Sequence, residues 1–231
     1  MNEQKVLEMA QNIFMSVFRR ENTLSLDEIR EKFASSIKLP IEVQDSTTGE
    51  VTWTDEKADF YITQKNMERI DFSTGWMKKE LSFQSMEELL TSWKQINYKT
   101  TERLYDSEDC SQSDTLYNCI SSYRSLNCRQ CKNIIYSEGC GDSEYLIACK
   151  NSGNCNYCIE VKDSGTCSNS YLVTCSSKIS NSLIIQDCFN LHECIFCAHI
   201  ANKRYCIGNT QFEKEEYFKW KKLIIEWILN K

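Results

Sequence analysis

The arrangement of the cysteines constrains the fold of this chain more than any other feature of its sequence. All 14 cysteines of the 231 residues lie between Cys110 and Cys206. Nine-residue blocks that end in cysteine recur, such as ISSYRSLNC and GDSEYLIAC. Three longer copies share the spacing C-x2-C-x8-C, and these are Cys128/Cys131/Cys140, Cys155/Cys158/Cys167 and Cys194/Cys197/Cys206. Such a repeat is typical of a solenoid, because one unit buries its apolar face only against a neighbour.

The residues between the cysteines predict strands. Short apolar runs such as NIIY, YLIA, YLVT and SLIIQ are rich in β-branched and aromatic residues and end at Ser, Asn, Asp or Gly. Helices need longer periodic runs. The sequence therefore predicts an α+β chain built on a parallel β-solenoid. We expect one short strand per nine-residue block, two or three blocks per coil, and an interior ladder of cysteines.

The solenoid is expected to occupy residues 102–211 and to follow an N-terminal α+β region over residues 1–101. Apolar spacing, two capping boxes and an alternating pattern around a Thr-Gly turn predict the elements of that region. They are a helix over 3–20, a second from Ser25 and Glu28 to about Ile37, a hairpin over 41–54, and a helix from Ser85 and Glu88 to about Tyr98.

Residues 212–231 predict a C-terminal amphipathic helix with acidic residues in its first turn. The last coil of a solenoid exposes apolar surface, so we expect this helix to cap it. The capping residues would be Trp220, Leu223, Ile224, Trp227 and Ile228. An oligomerisation or membrane-surface helix is the alternative, because three lysines stand beside these side chains.

Composition indicates the compartment and excludes some partners. The net charge of −6 is modest, so no nucleic-acid partner is expected. The N-terminal residues MNEQKVLEMAQNIF lack the apolar core of a secretory signal, and no apolar run is long enough to span a membrane. We expect a cytoplasmic protein, or a virion component assembled in the cytoplasm, with no membrane contact. Its cysteines should then be reduced, with disulfides and metal ligation as the alternatives.

The buried cysteines also predict the effect of a substitution. Replacing Cys149 or Cys167 by serine is expected to destabilise the fold by roughly 1 to 3 kcal/mol, because the new hydroxyl would lie unpaired in the interior.

One cluster is a candidate metal site. His192, Cys194, Cys197 and His199 fall within eight residues and include both histidines of the chain. Imidazole and thiolate together suit zinc. In the alternative interpretation, His192 lies at a coil corner and His199 on an outward face. We expect no cofactor, with zinc as the alternative.

No catalytic residue is expected. The phosphate-binding, dinucleotide-binding, nucleophile-elbow and zinc-protease motifs are absent. A carbohydrate-active enzyme on a β-helix is one alternative, and it would require a cluster of carboxylates. The candidates for that cluster are Asp142, Glu144, Glu160 and Asp163.

The end of the repeat region carries a resemblance. Residues 188–220 contain the run YCIGNTQFEKEEY, from Tyr205 to Tyr217. This segment resembles uncharacterised cysteine-rich repeat proteins of candidate-phyla bacteria, whose repeats end in a similar Y-C-I-x-N-x-Q-[YF]-x-K-E-E-Y. The resemblance covers about half of the chain and implies a repeat fold without any activity. Those proteins commonly carry an additional N-terminal cysteine-rich module, whereas this sequence has no cysteine before Cys110.

These observations favour a non-enzymatic structural or interaction scaffold. A rigid β-solenoid surface would be presented to a protein partner in a larger assembly or virion, or the chain would form a homo-oligomer. The alternative from another class is a metal-binding or thiol redox-sensing protein that uses the C-x2-C pairs and the cluster from His192 to His199.

Overall fold

The structure, a computed structural model, is a parallel β-solenoid with helices along one side and a small α+β region at its first coil. The predicted fold class is confirmed. The structure describes all residues except 80, 81, 131, 133, 141, 142, 145, 154, 155, 163–167, 169, 170, 175 and 231. Within the strands, it does not describe the side chains of residues 134, 135, 138–140, 149, 151, 152, 161 and 162.

The N-terminal region contains helices and short strands in alternation. They are α1 (Glu3–Phe18), α2 (Leu26–Phe33), β1 (Ile41–Gln44), β2 (Val51–Thr54), β3 (Phe60–Thr63), α3 (Gln64–Met67), α4 (Met86–Lys94) and β4 (Tyr98–Thr101).

Local sequence signals account for most of these elements. Ser25 and Glu28 form the predicted capping box of α2, and β1 and β2 pair antiparallel as the predicted hairpin. Gly49 in the hairpin turn has a φ of 77°, which glycine adopts without steric cost. Two helices are shorter than predicted. α2 ends four residues before Ile37, and α4 ends before Tyr98 because that residue pairs in parallel with β3.

The solenoid strands follow, and a helix ends the chain. The strands are β5 (Leu104–Tyr105), β6 (Asp114–Tyr117), β7 (Tyr123–Arg129), β8 (Ile134–Cys140), β9 (Leu146–Ser152), β10 (Ile159–Lys162), β11 (Tyr171–Thr174), β12 (Ser177–Ser180), β13 (Leu183–Gln186), β14 (Phe189–Ala198), β15 (Ala201–Ile207) and β16 (Thr210–Gln211). The helix is α5 (Lys214–Asn230).

Each coil of the solenoid takes 12 residues. Leu104 pairs with Leu116 and Leu116 with Cys128, so residues 12 positions apart lie side by side on successive coils. The same offset joins Cys194 to Cys206 at the other end. The predicted coil of two or three nine-residue blocks is therefore wrong. Cysteines nine residues apart lie on neighbouring sides of successive coils and do not stack directly.

The coil turns a corner at every third residue. Among the described residues, left-handed φ values between 44° and 62° recur at this interval from Asp106 to Tyr136 and from Leu172 to Tyr205, and they occur at Ala148 and Glu160 between these ranges. Asn and Asp are frequent at these corners because they tolerate this conformation better than most residues. Four corners in 12 residues give a coil with four sides. Each side is about 10 Å long at about 3.3 Å per residue.

The residue after each corner points into the solenoid. This position holds only Cys, Ser, Leu, Ile or Val from Leu104 to Ile200. It is buried from Ser113 to Cys197 wherever its side chain is described. Thirteen of the 14 cysteines fall at this position in the sequence, Cys175 being the exception. The cysteine spacings of three and nine residues thus correspond to one and three sides of the coil. The narrow interior accepts only small or slender side chains.

Interior serines and cysteines bond to the backbone. The Ser176 hydroxyl donates to the carbonyl oxygen of Thr174 at 2.9 Å and accepts the backbone N–H of Cys188, on the next coil, at 3.0 Å. Ser182 makes the same two bonds. The Cys188 thiol likewise donates to the carbonyl oxygen of Gln186 at 3.1 Å. Ser176, Ser182 and Cys188 therefore fill the interior with their polar atoms paired, whereas the buried hydroxyl of Ser122 makes no hydrogen bond to the described residues.

Inward serines show both outcomes for a buried hydroxyl. Cys167 and the side chain of Cys149 lie outside the described residues. At equivalent positions the hydroxyls of Ser176 and Ser182 have partners and that of Ser122 has none among the described residues, so the cost of serine at Cys149 or Cys167 stays a prediction.

The interior bonds predict opposite sensitivities at two stacked positions. Ser176→Ala should lower the free energy of unfolding by about 1 to 3 kcal/mol, because it leaves the buried N–H of Cys188 without an acceptor. Cys188→Ser should change it by less than about 1 kcal/mol, because a hydroxyl makes the same bond to Gln186. Urea unfolding followed by circular dichroism measures both values. An equal loss in the two variants would contradict this account.

One side of the solenoid, which we call the helical side, is apolar on its outside. Its outward residues recur every 12 positions, and those with described side chains from the second coil onward are Tyr123, Ile147, Ile159, Tyr171, Leu183, Ile195 and Ile207. They share one core with α1, α2 and α5. The rings of Phe18 and Phe33 lie 5.2 and 5.9 Å from that of Tyr171. Each large side chain buried here contributes about 1.5 to 3 kcal/mol.

Helix α5 lies along the helical side and does not close the end of the solenoid. Tyr217, Ile225 and Ile228 are buried, and the Tyr217 ring lies 5.5 Å from that of Tyr205 in β15. Of the five residues predicted to cap the last coil, Ile228 is buried and Ile224 partly buried on the helical side, whereas the other three are not buried. Those three are about half exposed, namely Trp220 (48%), Leu223 (56%) and Trp227 (51%).

An ion pair closes the first coil against the N-terminal region. The Arg103 guanidinium donates to both carboxylate oxygens of the fully buried Asp114, at 2.7 and 3.0 Å. Its side chain also reaches Asp55 at 3.3 Å. The backbone N–H of Leu104 donates to the Gln64 side chain at 2.9 Å. Arg103, Asp114 and the backbone N–H of Leu104 are thus paired at this edge of the solenoid.

The last coil ends in a different way. β16 turns back and pairs antiparallel with β15, and the Gln211 side chain donates to the carbonyl oxygen of Arg204. Asn209 bonds to the carbonyl oxygen of Ala198 at 2.9 Å. Lys203 occupies the inward position on the other half of β15 and is exposed, because no coil follows it. An inward-pointing charge on an edge strand prevents that edge from pairing with another chain.

Removing the charge of Lys203 should allow the edge strand β15 to pair with another chain. We expect Lys203→Ile to cause concentration-dependent association through β15, because isoleucine suits the interior position of an added coil. Sedimentation velocity over a range of concentrations measures the effect. Lys222→Ile is the matched control, since it makes the same change at an exposed position on α5. Equal association of both variants would show that general hydrophobicity is the cause.

Candidate interaction surface

The side of the solenoid opposite the helical side is open to solvent, and we call it the open face. Its outward residues with described side chains are Tyr105, Tyr117, Arg129, Ser177, Phe189 and Ala201. The corner residues along one border are Asp106, Asn118, Gln130, Lys178, Asn190 and Asn202, and those along the other are Thr115, Asn127, Asp187 and His199. Because residues 12 positions apart are neighbours, successive side chains of a row lie at the strand spacing of about 4.8 Å.

The first coils carry a ladder of aromatic and cationic side chains. The rings of Tyr105 and Tyr117 stack at 4.8 Å with an interplanar angle of 14°. The guanidinium of Arg129, one coil further, lies 5.7 Å from the Tyr117 ring centre. The two tyrosines remain 40% and 37% exposed. Stacking thus fixes these side chains without removing them from solvent.

A second ladder lies on the last coils. Lys178 lies 5.4 Å from the centre of the Phe189 ring, which is 46% exposed. Beside it, the Asn190 amide donates to the side-chain oxygen of Asn202 at 2.8 Å. Each end of the open face therefore carries an exposed aromatic side chain beside a cationic one. Aromatic residues and arginine are the side chains that dominate binding energy at protein interfaces.

The structure does not bring the four candidate metal ligands together. Cys194 and Cys197 point into the solenoid and are 0% and 1% exposed. His192 lies outside, where its Nδ1 is 2.8 Å from the hydroxyl of Ser180. His199 is a corner residue of the open face, with its ring 71% exposed. In the part of the chain that the structure describes, no three His, Cys, Asp or Glu side chains are grouped to hold a metal ion.

The eight cysteines whose side chains are described form no disulfide with one another. Burial raises the pKa of Cys110, Cys188 and Cys206. A hydrogen bond between Cys194 and Cys197 raises the pKa of Cys194 and lowers that of Cys197 to about 7. Because both sulfurs of this pair are enclosed, the chemistry open to Cys197 is limited by access rather than by its pKa.

The carboxylates named for a carbohydrate-active site are only partly described. Asp142 and Asp163 lie outside the described residues. Glu144 and Glu160 are 16 positions apart, so they do not stack on successive coils, and Glu160 is a corner residue. The two described candidates, Glu144 and Glu160, therefore lie on different rows.

Burial predicts which thiols react. In the native protein at neutral pH, N-ethylmaleimide should label the half-buried Cys110 at least about tenfold faster than Cys188, Cys194 and Cys206, because the other three thiols are buried and closed to the reagent, whereas a raised pKa is common to all four. Peptide mass spectrometry over time measures the rates. Labelling of Cys197 as fast as that of Cys110 would contradict this and would favour thiol redox sensing.

Comparison with known proteins adds no family. No protein-family model matches this sequence, and a search of curated proteins finds no significant match. The resemblance to cysteine-rich repeat proteins therefore stays a prediction. Among the described residues, no helix has the length and apolar character needed to cross a membrane.

Sequence reasoning missed the open face because it used the wrong coil length. Tyr105, Tyr117 and Arg129 are 12 positions apart, as are Asn190 and Asn202. Comparison of residues at this interval would have grouped them. Cysteines nine positions apart both point inward, but they lie on different sides of the coil. The nine-residue blocks therefore do not reveal the rows of outward residues.

Proposed function

We propose that this chain is a non-enzymatic scaffold that presents the open face of its solenoid to a protein partner, in the cytoplasm or in a virion assembled there. The observation that carries this proposal is the ordered exposure of Tyr105, Tyr117 and Phe189 on one face while the opposite side is covered by the chain's own helices. The solenoid thus has one face used for folding and one left for binding.

The shape of the open face supports binding without rearrangement. Parallel pairing fixes each coil against the next, and the Tyr105 and Tyr117 rings are already stacked. A surface that is ordered before binding loses little conformational entropy when a partner docks. The ladders therefore supply contact area at low entropic cost.

The charges of the open face favour a protein over a polyanion. Asp106 and Asp187 alternate with Arg129 and Lys178, so neither sign dominates. Binding of nucleic acid depends on a concentrated positive field. A mixed surface with exposed aromatic rings suits a protein surface of mixed polarity.

The proposal is tested by removing the exposed rings. We expect the double variant Tyr117→Ser and Phe189→Ser to lose a partner that the wild-type chain enriches from a lysate of the source cells. The loss should be at least about tenfold, because truncation of an aromatic anchor costs about 2 kcal/mol. Quantitative mass spectrometry of the bound fraction measures it.

The matched control is Phe196→Ser, because Phe196 is 41% exposed but lies away from the open face. Its ring centre is 6.3 Å from that of Trp227 in α5. This variant should retain the partner. Melting temperatures establish that all chains are folded. Retention of the partner by the open-face variant, or equal loss in the control, would contradict the proposal.

A further inference from the structure

Helix α4 exposes an apolar face that the described residues leave uncovered. Met86, Leu89, Leu90 and Trp93 follow the i, i+3, i+4, i+7 spacing that places them on one face. Their exposed fractions are 68, 39, 53 and 54%. No residue of α4 is buried. The apolar face of this helix thus differs from those of α1 and α2, which are packed against the solenoid.

Local bonds hold α4 in place without packing. The Ser85 hydroxyl accepts the backbone N–H of Glu88 at 3.2 Å. Lys78 donates to the carbonyl oxygen of Ser92 at 3.3 Å and to the side chain of Gln95 at 2.8 Å. A helix of nine residues is marginal in water on its own, since isolated helices need about 12 to 15 residues. A partner that covers the apolar face of such a short, unpacked helix would therefore stabilise it.

The charges beside this face are self-complementary. Glu87 and Lys94 are both exposed and lie seven positions apart, hence on the same flank of the helix. In an antiparallel pair related by a two-fold axis, Glu87 of each copy faces Lys94 of the other. In a parallel pair each of these flanks would face the opposite flank of the other helix, where Ser85 and Ser92 lie, so the Glu87–Lys94 contacts would not form. The sequence of α4 therefore selects an antiparallel second copy of itself.

We propose that a second copy of this chain docks antiparallel along α4. The area is sufficient. Phe83 and the four apolar residues of α4 expose on the order of 500 Å² per chain, taking about 200 Å² for a large side chain. Two copies then bury about 1,000 Å², which reaches the lower limit of a specific interface. This inference does not rest on the open face, which a dimer through α4 leaves free.

Sedimentation equilibrium of the full chain tests the dimer. We expect the wild type to associate to a dimer with a Kd in the range of about 1 to 100 µM. Leu90→Asp should remain monomeric over that range, because it places a charge at the centre of the apolar face. Its melting temperature at low concentration should equal that of the wild type, since α4 buries no residue. A wild-type chain that stays monomeric at the highest concentration would overturn the proposal.

Charge reversal tests the antiparallel arrangement. Glu87→Lys and Lys94→Glu should each weaken the dimer roughly tenfold, because each converts two attractive contacts into two repulsive ones. The double variant should recover the wild-type Kd to within about threefold. A mixture of the two single variants should also associate, since their flanks are complementary. Failure of both the double variant and the mixture to recover would overturn the arrangement.

Trp227→Asp is the matched control for the apolar face. Trp227 is 51% exposed, close to the value for Trp93, but it lies on α5. Trp227→Asp should dimerise as the wild type does, and so should the double variant at Tyr117 and Phe189. Loss of the dimer in Trp227→Asp, with Leu90→Asp unaffected, would place the interface on α5 and overturn the proposal. Loss of the open-face partner with the dimer intact separates failure of the proposed function from failure of this inference.

Discussion

The structure depends on the narrow space inside a coil whose sides are three residues long. Each side contributes one inward side chain, so four side chains share each layer of the interior. Cysteine and serine suit this space because they are small and because their S–H and O–H groups reach backbone carbonyls, as Ser176 and Cys188 do. The same bonds tie one coil to the next. The apparent cysteine richness of the chain is thus a consequence of geometry, and it requires no redox or metal chemistry to explain it.

Much of the fold could be predicted from the sequence, because each prediction rested on a local signal. The capping box of Ser25 and Glu28, the hairpin of residues 41–54 and the parallel solenoid are all observed. The coil length could not be obtained from cysteine spacing, because any multiple of three residues preserves the inward phase. The outward residues carry that information. Only they distinguish the four sides, and Tyr105 with Tyr117 reveal the 12-residue interval.

The placement of the C-terminal helix shows why amphipathic pattern alone is insufficient. α5 has apolar residues around most of its circumference, so the pattern does not select the packed face. The structure buries Tyr217, Ile225 and Ile228 against the helical side and leaves Trp220 and Trp227 half exposed. The end of the solenoid is closed by backbone and amide bonds at Gln211 instead. A hairpin of a few residues therefore does what a whole helix was expected to do.

The corner at every third residue gives the solenoid two repeat lengths. Inward positions recur every three residues, and outward residues of the same row recur every 12. Duplication of 12 residues adds one complete coil, which lengthens the open face and the helical side together by about 4.8 Å. Insertion of three residues keeps cysteine and serine inside but rotates every later residue by one side, so the row of Tyr117 would continue on a neighbouring side of the coil. An insertion of any multiple of three residues thus preserves the inward pattern, whereas only a multiple of 12 also preserves the rows of outward residues. A chain of this kind can therefore change length without disrupting its outward rows only by whole coils.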